Sequence, residues 1–298
     1  RIARRVTEQI DPRDHALALR NLGKVLSWAG KVDEAGRLAL QAAEHLPNDA
    51  EAQRMAGFAK LRLNQTAEAK PLFEAALRLQ PDDVRALSGL GEVYTRLGQH
   101  EAAHDCFVRA VAVDPKHAPA QYNLGNALRM LGQLEAAETA YRRALSLAPD
   151  QPDAHKNLGL VLFAQGDVAG TVRHFETALA LEEDVPQRHA DLGYVLIDAG
   201  EQPRAEAEFQ AALGIDPSFV PAMFGMALLC EQRGDLTRAT QWLRDALRVA
   251  PNDVNVHFYL ARYAVQLGDT ATAKSELETV LRLDPNHAGA RQLRAKLD

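Results

Sequence analysis

The chain has 298 residues, 47% apolar and 25% charged, with a net charge of −6 and two cysteines, Cys106 and Cys230. This is the composition of a folded protein, and its acidic balance argues against a general nucleic-acid binder, which carries a strongly basic face. Two thiols so far apart form neither a disulfide framework nor a CxxC metal knuckle and read as small buried hydrophobes; no apolar run approaches the ~20 residues of a membrane-crossing helix.

At the N-terminus Ile2, Val6 and Ile10 recur at i, i+4 spacing, so residues 1–15 are expected to hold a lead-in helix or partial repeat. The chain starts at Arg1 rather than Met, which suggests a processed form or a piece of a longer protein. From residue 16 onward it repeats itself. The segments starting at Asn123 and Asn157 align at an offset of 34 residues. Extending that frame without gaps predicts eight units: 16–49, 50–83, 84–117, 118–151, 152–185, 186–219, 220–253 and 254–287. Residues 288–298 then form a last helix, with Ala290, Leu293 and Leu297 facing inward. Arg294 stands where a further unit would carry leucine, and a charge there leaves the polar end that a cap requires.

Within the units, residue types recur by physical role. Position 8 holds Gly23, Gly57, Gly91, Gly125, Gly159, Gly193, Ala227 and Ala261. Position 20 holds Ala35, Ala69, Ala103, Ala137, Thr171, Ala205, Ala239 and Ala273. A mid-helix Gly costs about 1 kcal/mol relative to Ala, so small residues on both elements predict two helices crossing in close contact. Position 15 is Gly, or Asn64 in the second unit, the types that enter the left-handed conformation ending a helix. Position 32 is Pro except for Glu183, and proline stops the second helix. Large residues such as Leu124, Tyr141, Leu158, Phe175, Leu192 and Phe209 fill positions 7 and 24 at helical spacing. Thr171, Glu183 and Pro186 depart from the pattern, so the joint over 181–188 is expected to differ, while Lys60 and Asn64 weaken the second unit.

This L-G, A, F/Y and P spacing resembles the tetratricopeptide repeat, and the likeness covers residues 16–287. The resemblance implies an all-α fold: an alpha-alpha superhelix (TPR solenoid) of eight 34-residue helix-turn-helix repeats with a C-terminal capping helix. In that family the first helices line a concave groove that holds a segment of another protein. A scaffold or adaptor is therefore expected, with no cofactor, no nucleic acid and no membrane insertion. Two alternatives stay open: a substrate-recruiting region of a larger enzyme such as a glycosyltransferase, and a subunit of an envelope or secretion assembly. The expected compartment is the cytoplasm, or the periplasm if a signal peptide has been removed.

Candidate chemistry is sparse. His100-Glu101-Ala102-Ala103-His104 spells HExxH, the helix motif of zinc proteases. Ala103 and Phe107 are in repeat register, however, and Phe107 stands where the extended motif needs Gly, so the segment reads as the start of a second helix. His155, His189 and His257 share position 4 and could sense pH as a ladder; the plainer reading is partly buried packing. No phosphate loop, GxSxG elbow or Rossmann glycine pattern occurs, so no enzyme is expected.

The groove-facing positions divide into zones. Arg20, Lys24, Arg54, Arg62, Arg85, Arg96 and Arg129, offset by Glu51 and Glu92, predict a positive N-terminal wall suited to an acidic or carboxylate-bearing segment. Asn123, Asn126 and Asn157, beside Lys156, offer amides that bond a peptide backbone through donor and acceptor. They resemble the asparagine ladder in the tetratricopeptide region of O-linked N-acetylglucosamine transferases, although Met55, Gly89, Asp191, Gly225 and Tyr259 interrupt it. Tyr122, Leu160, Phe163, Tyr194, Ile197, Phe224 and Leu228 form an apolar stripe for side-chain anchors. Burial against neighbouring units, or self-association through the groove, is the alternative use of that stripe. The two-carboxylate clamp of chaperone cofactors does not match, because Tyr122, Gln187 and Asp191 occupy its basic places.

Overall fold

The structure is a computed structural model that describes residues 11–297; the expected lead-in helix over Ile2, Val6 and Ile10 lies outside them. Among the described residues there are seventeen helices and no strand. The chain divides into two compact units, 1–150 and 151–298. The first contains α1 (Pro12–Trp28), α2 (Val32–His45), α3 (Ala50–Arg62), α4 (Thr66–Leu79), α5 (Val84–Arg96), α6 (His100–Val113), α7 (Ala118–Met130) and α8 (Leu134–Leu147). The second begins with α9 (Pro152–Ala164), α10 (Val168–Leu181), α11 (Pro186–Asp198) and α12 (Gln202–Ile215). It continues through α13 (Val220–Gln232), α14 (Leu236–Val249), α15 (Val254–Gln266), α16 (Thr270–Leu283) and α17 (Ala288–Arg294). Odd and even helices pair as consecutive hairpins, so the fold is the expected all-α array of eight helical hairpins closed by α17.

Local chemistry starts and stops each helix. Asp49, Asp83 and Asp253 cap α3, α5 and α15 by accepting backbone N–H bonds, which satisfies donors that the first turn leaves open. Each hairpin turn is made by a left-handed residue: Asn64 at φ 57° and Gly98 at 71°, for example. Asn64 is the one non-glycine residue with positive φ among those described.

The helix crossing has a different cause from the one expected. Above the glycine at position 8 lies the aromatic ring at position 24 of the same hairpin, not the alanine at position 20. A β-carbon on Gly91 would meet the Phe107 ring at 2.5 Å, and one on Gly125 or Gly193 would meet Tyr141 or Phe209 at 2.7 Å. The flat ring therefore needs the glycine. Where position 24 is Leu243 or Leu277, position 8 is Ala227 or Ala261, and all four are buried. In the first hairpin position 24 is Ala39, and the helix backbone itself comes close: Ala35 O would stand 3.3 Å from a β-carbon on Gly23.

Thr171, the departure at position 20, is fully buried with its hydroxyl donating to Asp167 O at 2.8 Å and Gly159 O at 3.2 Å. The 181–188 joint does differ. Glu182 N–H bonds Leu179 O, three residues back, whereas the equivalent cap at Ala250 reaches four back to Ala246. Arg188 then clasps Glu182 at 2.6 Å and Asp153 at 2.7 Å. At the C-terminal end Ala290 is buried, and Leu293 and Leu297 pack on Ala261, Leu277 and Val280, as a cap should. No helix among the described residues is long and apolar enough to cross a membrane.

Candidate functional site: two first-helix walls

Along one side of each unit the first helices lie next to one another, as α3 with α5, α5 with α7 and α11 with α13. The N-terminal wall carries the expected cations, but the structure pairs most of them. Arg20 meets Asp49 and stands 3.7 Å from Glu51; Lys24 meets Glu51 at 2.8 Å. Arg54 reaches Asp83 at 3.0 Å and Glu51 at 3.6 Å. Arg62 pairs with Asp33 at 3.4 Å, and Arg96 binds Glu92 at 2.6 Å while donating to Leu61 O at 2.9 Å. One carboxylate, Glu51, thus serves three cations. Among the described residues Arg85 has no carboxylate partner, and its side chain is exposed.

Lys24, Arg54, Arg62 and Arg85 border a cleft of about 230 Å³, with Trp28, Met55 and Phe58 also in its lining. Trp28 is 75% exposed, with Lys24 5.8 Å above its ring. The sequence reading passed over these three because it sorted this wall by charge. They occupy positions 13, 6 and 9 on the first helices, and Phe58 shares position 9 with Leu160, Tyr194 and Leu228 of the stripe.

Farther along, Tyr141 donates to Asn126 Oδ1 at 2.7 Å, and burial pushes the Tyr141 phenol up to about 12. Asn126 is thereby engaged inside its own hairpin. Arg129 is half-buried with its Nε enclosed, and Tyr122 lies 6.0 Å from Tyr141. Asn123 is half-buried on the same helix, α7.

The C-terminal wall brings α9, α11, α13 and α15 together. Asn157 is half-buried on α9, and Lys156 pairs with Asp191 at 2.5 Å. Leu160 and Phe163 are 38% and 42% exposed, large apolar side chains left facing solvent. They line a notch of about 190 Å³ with Tyr194 and Asp198. Tyr194 donates to Pro221 O at 2.6 Å and packs edge-on to Phe209, so it is both wall and core. Burial, reinforced by the Asp191 and Asp253 carboxylates, holds the Tyr194 phenol above its ordinary range. Ile197 is likewise partly buried against that core, and Leu228 is half-buried. Past Tyr194 a second notch of about 310 Å³ is lined by Phe224, Tyr259 and Asp253, with the two rings 4.8 Å apart. Asp198, Asp253 and Tyr259 were not singled out as site residues from sequence. Their proximity comes from neighbouring hairpins.

The position-4 histidines bridge the two helices of their own hairpin, and His189 and His257 also reach a carbonyl of the preceding one. His189 Nδ1 contacts Glu208 at 2.7 Å and Nε2 contacts Glu183 O at 3.0 Å. His257 repeats this with Glu276 and Pro251 O, and His155 Nδ1 meets His174 Nδ1 at 3.0 Å. Gln121 uses the same position to reach Pro115 O at 3.3 Å. His100 and His104 sit on α6, and no cluster of three metal-ligating side chains occurs among the described residues.

Stacked hairpins with half-exposed first-helix walls define a repeat protein of the helical-hairpin class. Tetratricopeptide repeat profiles match residues 54–105, 156–219 and 190–254, and a second matches 231–297. A profile described as TPR repeat matches 91–132 and 125–166. The chain belongs to the tetratricopeptide repeat family. No curated protein matches the sequence.

Several solved structures share the fold. The Cut9–Hcn1 complex of the APC/C has a TM-score of 0.65 at 17% identity, covering 89% of this chain and 52% of that one. This chain therefore spans about half the length of that relative. PilW, a type IV pilus biogenesis factor, has a TM-score of 0.62 at 20% identity, covering 71% and 98%. YrrB, described as a TPR protein with an unusual peptide-binding site, has a TM-score of 0.51 at 20% identity, covering 62% and 95%.

Proposed function

We propose that this protein is an interaction scaffold whose first-helix walls hold an extended segment of a partner protein. The observation that carries this reading is the exposure of Leu160 and Phe163 on α9, beside a notch whose rim has polar partners for a backbone. Apolar side chains left in solvent within a polar rim mark an interaction surface. The membership of a repeat family that holds other proteins supports the same reading, in which the chain binds and positions and does not catalyse. Taken by itself, the N-terminal wall offers exposed Arg85, which has no carboxylate partner among the described residues, to an acidic side chain of a partner.

Panning a displayed library of unstructured peptides on the protein tests this. Enriched peptides should bind the wild type, and Leu160→Ser with Phe163→Ser should weaken them about tenfold, the effect of removing apolar anchors. Val113→Ser, at an exposed position on the second helix α6, should leave binding unchanged. Peptides that bind the Leu160/Phe163 variant as tightly as the wild type would end the reading.

A further inference from the structure

The hairpins contain an internal comparison. In two places an arginine at position 5 reaches the aspartate that caps the next first helix, 29 residues on: Arg20 to Asp49, and Arg54 to Asp83. Each aspartate divides its oxygens. Asp83 Oδ1 accepts the Arg85 and Ala86 N–H groups at 2.9 and 3.0 Å, and Oδ2 takes the Arg54 guanidinium at 3.0 Å. Asp49 does the same with Ala52 N–H and Arg20.

Asp253 is the equivalent cap of α15. Its Oδ1 accepts from Asn255 and Val256 at 2.9 and 3.0 Å, but position 5 of its hairpin is Phe224. Among the described residues nothing donates to Asp253 Oδ2. The space that an arginine fills elsewhere is here the 310 Å³ notch, bounded by the rings of Phe224, Tyr259 and Tyr194. A carboxylate oxygen at the edge of an aromatic notch suits a guanidinium, which is planar, stacks on rings and pairs with carboxylates through paired N–H groups. Tyr259 already accepts such a group, since Arg262 lies 4.7 Å over its ring.

We propose that the Phe224–Tyr259–Asp253 notch seats an arginine side chain from the partner's extended segment, in the place that Arg20 and Arg54 fill in the N-terminal hairpins. This rests on the reading of the wall as a peptide seat. The Tyr194 phenol is raised first by burial and then by the Asp191 and Asp253 carboxylates, so part of its rise reflects negative charge at this spot. The neighbouring Leu160 and Phe163 notch then takes an apolar side chain of the same segment.

The test uses the whole chain and three capped glycine-flanked peptides, with a central arginine, its neutral isostere citrulline, or lysine, followed by heteronuclear NMR. The arginine peptide should shift Phe224, Asn255 and Tyr259, and the citrulline and lysine peptides should bind about tenfold more weakly or worse. Asp253→Asn and Asp253→Ser both retain an N-cap, so the helix is preserved. Each should cost the arginine peptide about tenfold in affinity while leaving the circular dichroism unchanged. Equal binding of arginine and citrulline, or indifference to both Asp253 variants, overturns the arginine seat and leaves the peptide-holding wall standing. No shift with any peptide also overturns it, and the panning experiment with Phe163→Ser then judges the wall independently.

Discussion

Phe73 closes over Gly89 so tightly that a β-carbon there would stand 2.3 Å from Cε1 of the ring. Phe209 stands in the same relation to Gly225. Each ring also covers the glycine of its own hairpin, Gly57 or Gly193, so one aromatic side chain joins two successive first helices. Gly89→Ala and Gly225→Ala should each destabilise the protein by about 1–3 kcal/mol through overpacking. Gly214 on α12 has open space where its β-carbon would be, and Gly214→Ala should stabilise by roughly 0.5–1 kcal/mol. Urea unfolding of the three variants checks the contrast, and equal effects would refute it.

Asn64 occupies the turn conformation that glycine holds in the other hairpins. Asn64→Gly should be neutral or stabilising by up to about 1 kcal/mol, whereas Gly98→Ala, forced to φ 71°, should cost about 1 kcal/mol. Thermal melts give the sign directly.

Tyr194 is wall and core together, so its two substitutions should separate. Tyr194→Phe loses only the bond to Pro221 O and should cost about 1 kcal/mol. Tyr194→Ala also removes the ring packed on Phe209 and should cost about 3–5 kcal/mol. For this reason Phe163, with its exposed ring, is the cleaner probe of partner binding.

Burial raises the Cys106 thiol from 9.0 to about 11. The native state thus favours the neutral thiol. Its contribution to stability is complete below about 9 and is lost as pH rises through about 11. In native protein near neutral pH, iodoacetamide should label Cys106 far more slowly than in urea, because only the exposed thiolate reacts. Mass spectrometry of the labelled peptide reads both rates; equal rates would show that the site opens readily.

Most of the fold was legible because each helix and turn is set by residues close in sequence. Helical spacing of Leu158 and Phe175, left-handed Gly98 and stopping Pro115 act within one hairpin, and repetition made the pattern unmistakable. Residues that meet across hairpins were another matter. The Arg54–Asp83 pair spans 29 positions and the Lys156–Asp191 pair 35, so a count of wall charges overstated the free positive potential. Sequence by itself determined the period, the hairpins, the left-handed turns and the cap at Ala290, since propensity and apolar spacing act locally. Only the tertiary structure decided which charges are neutralised, which ring sits over which glycine, and that Asp253 faces an aromatic notch where Asp83 faces an arginine. Those outcomes depend on side chains from neighbouring first helices, and distance along the chain does not encode how they meet.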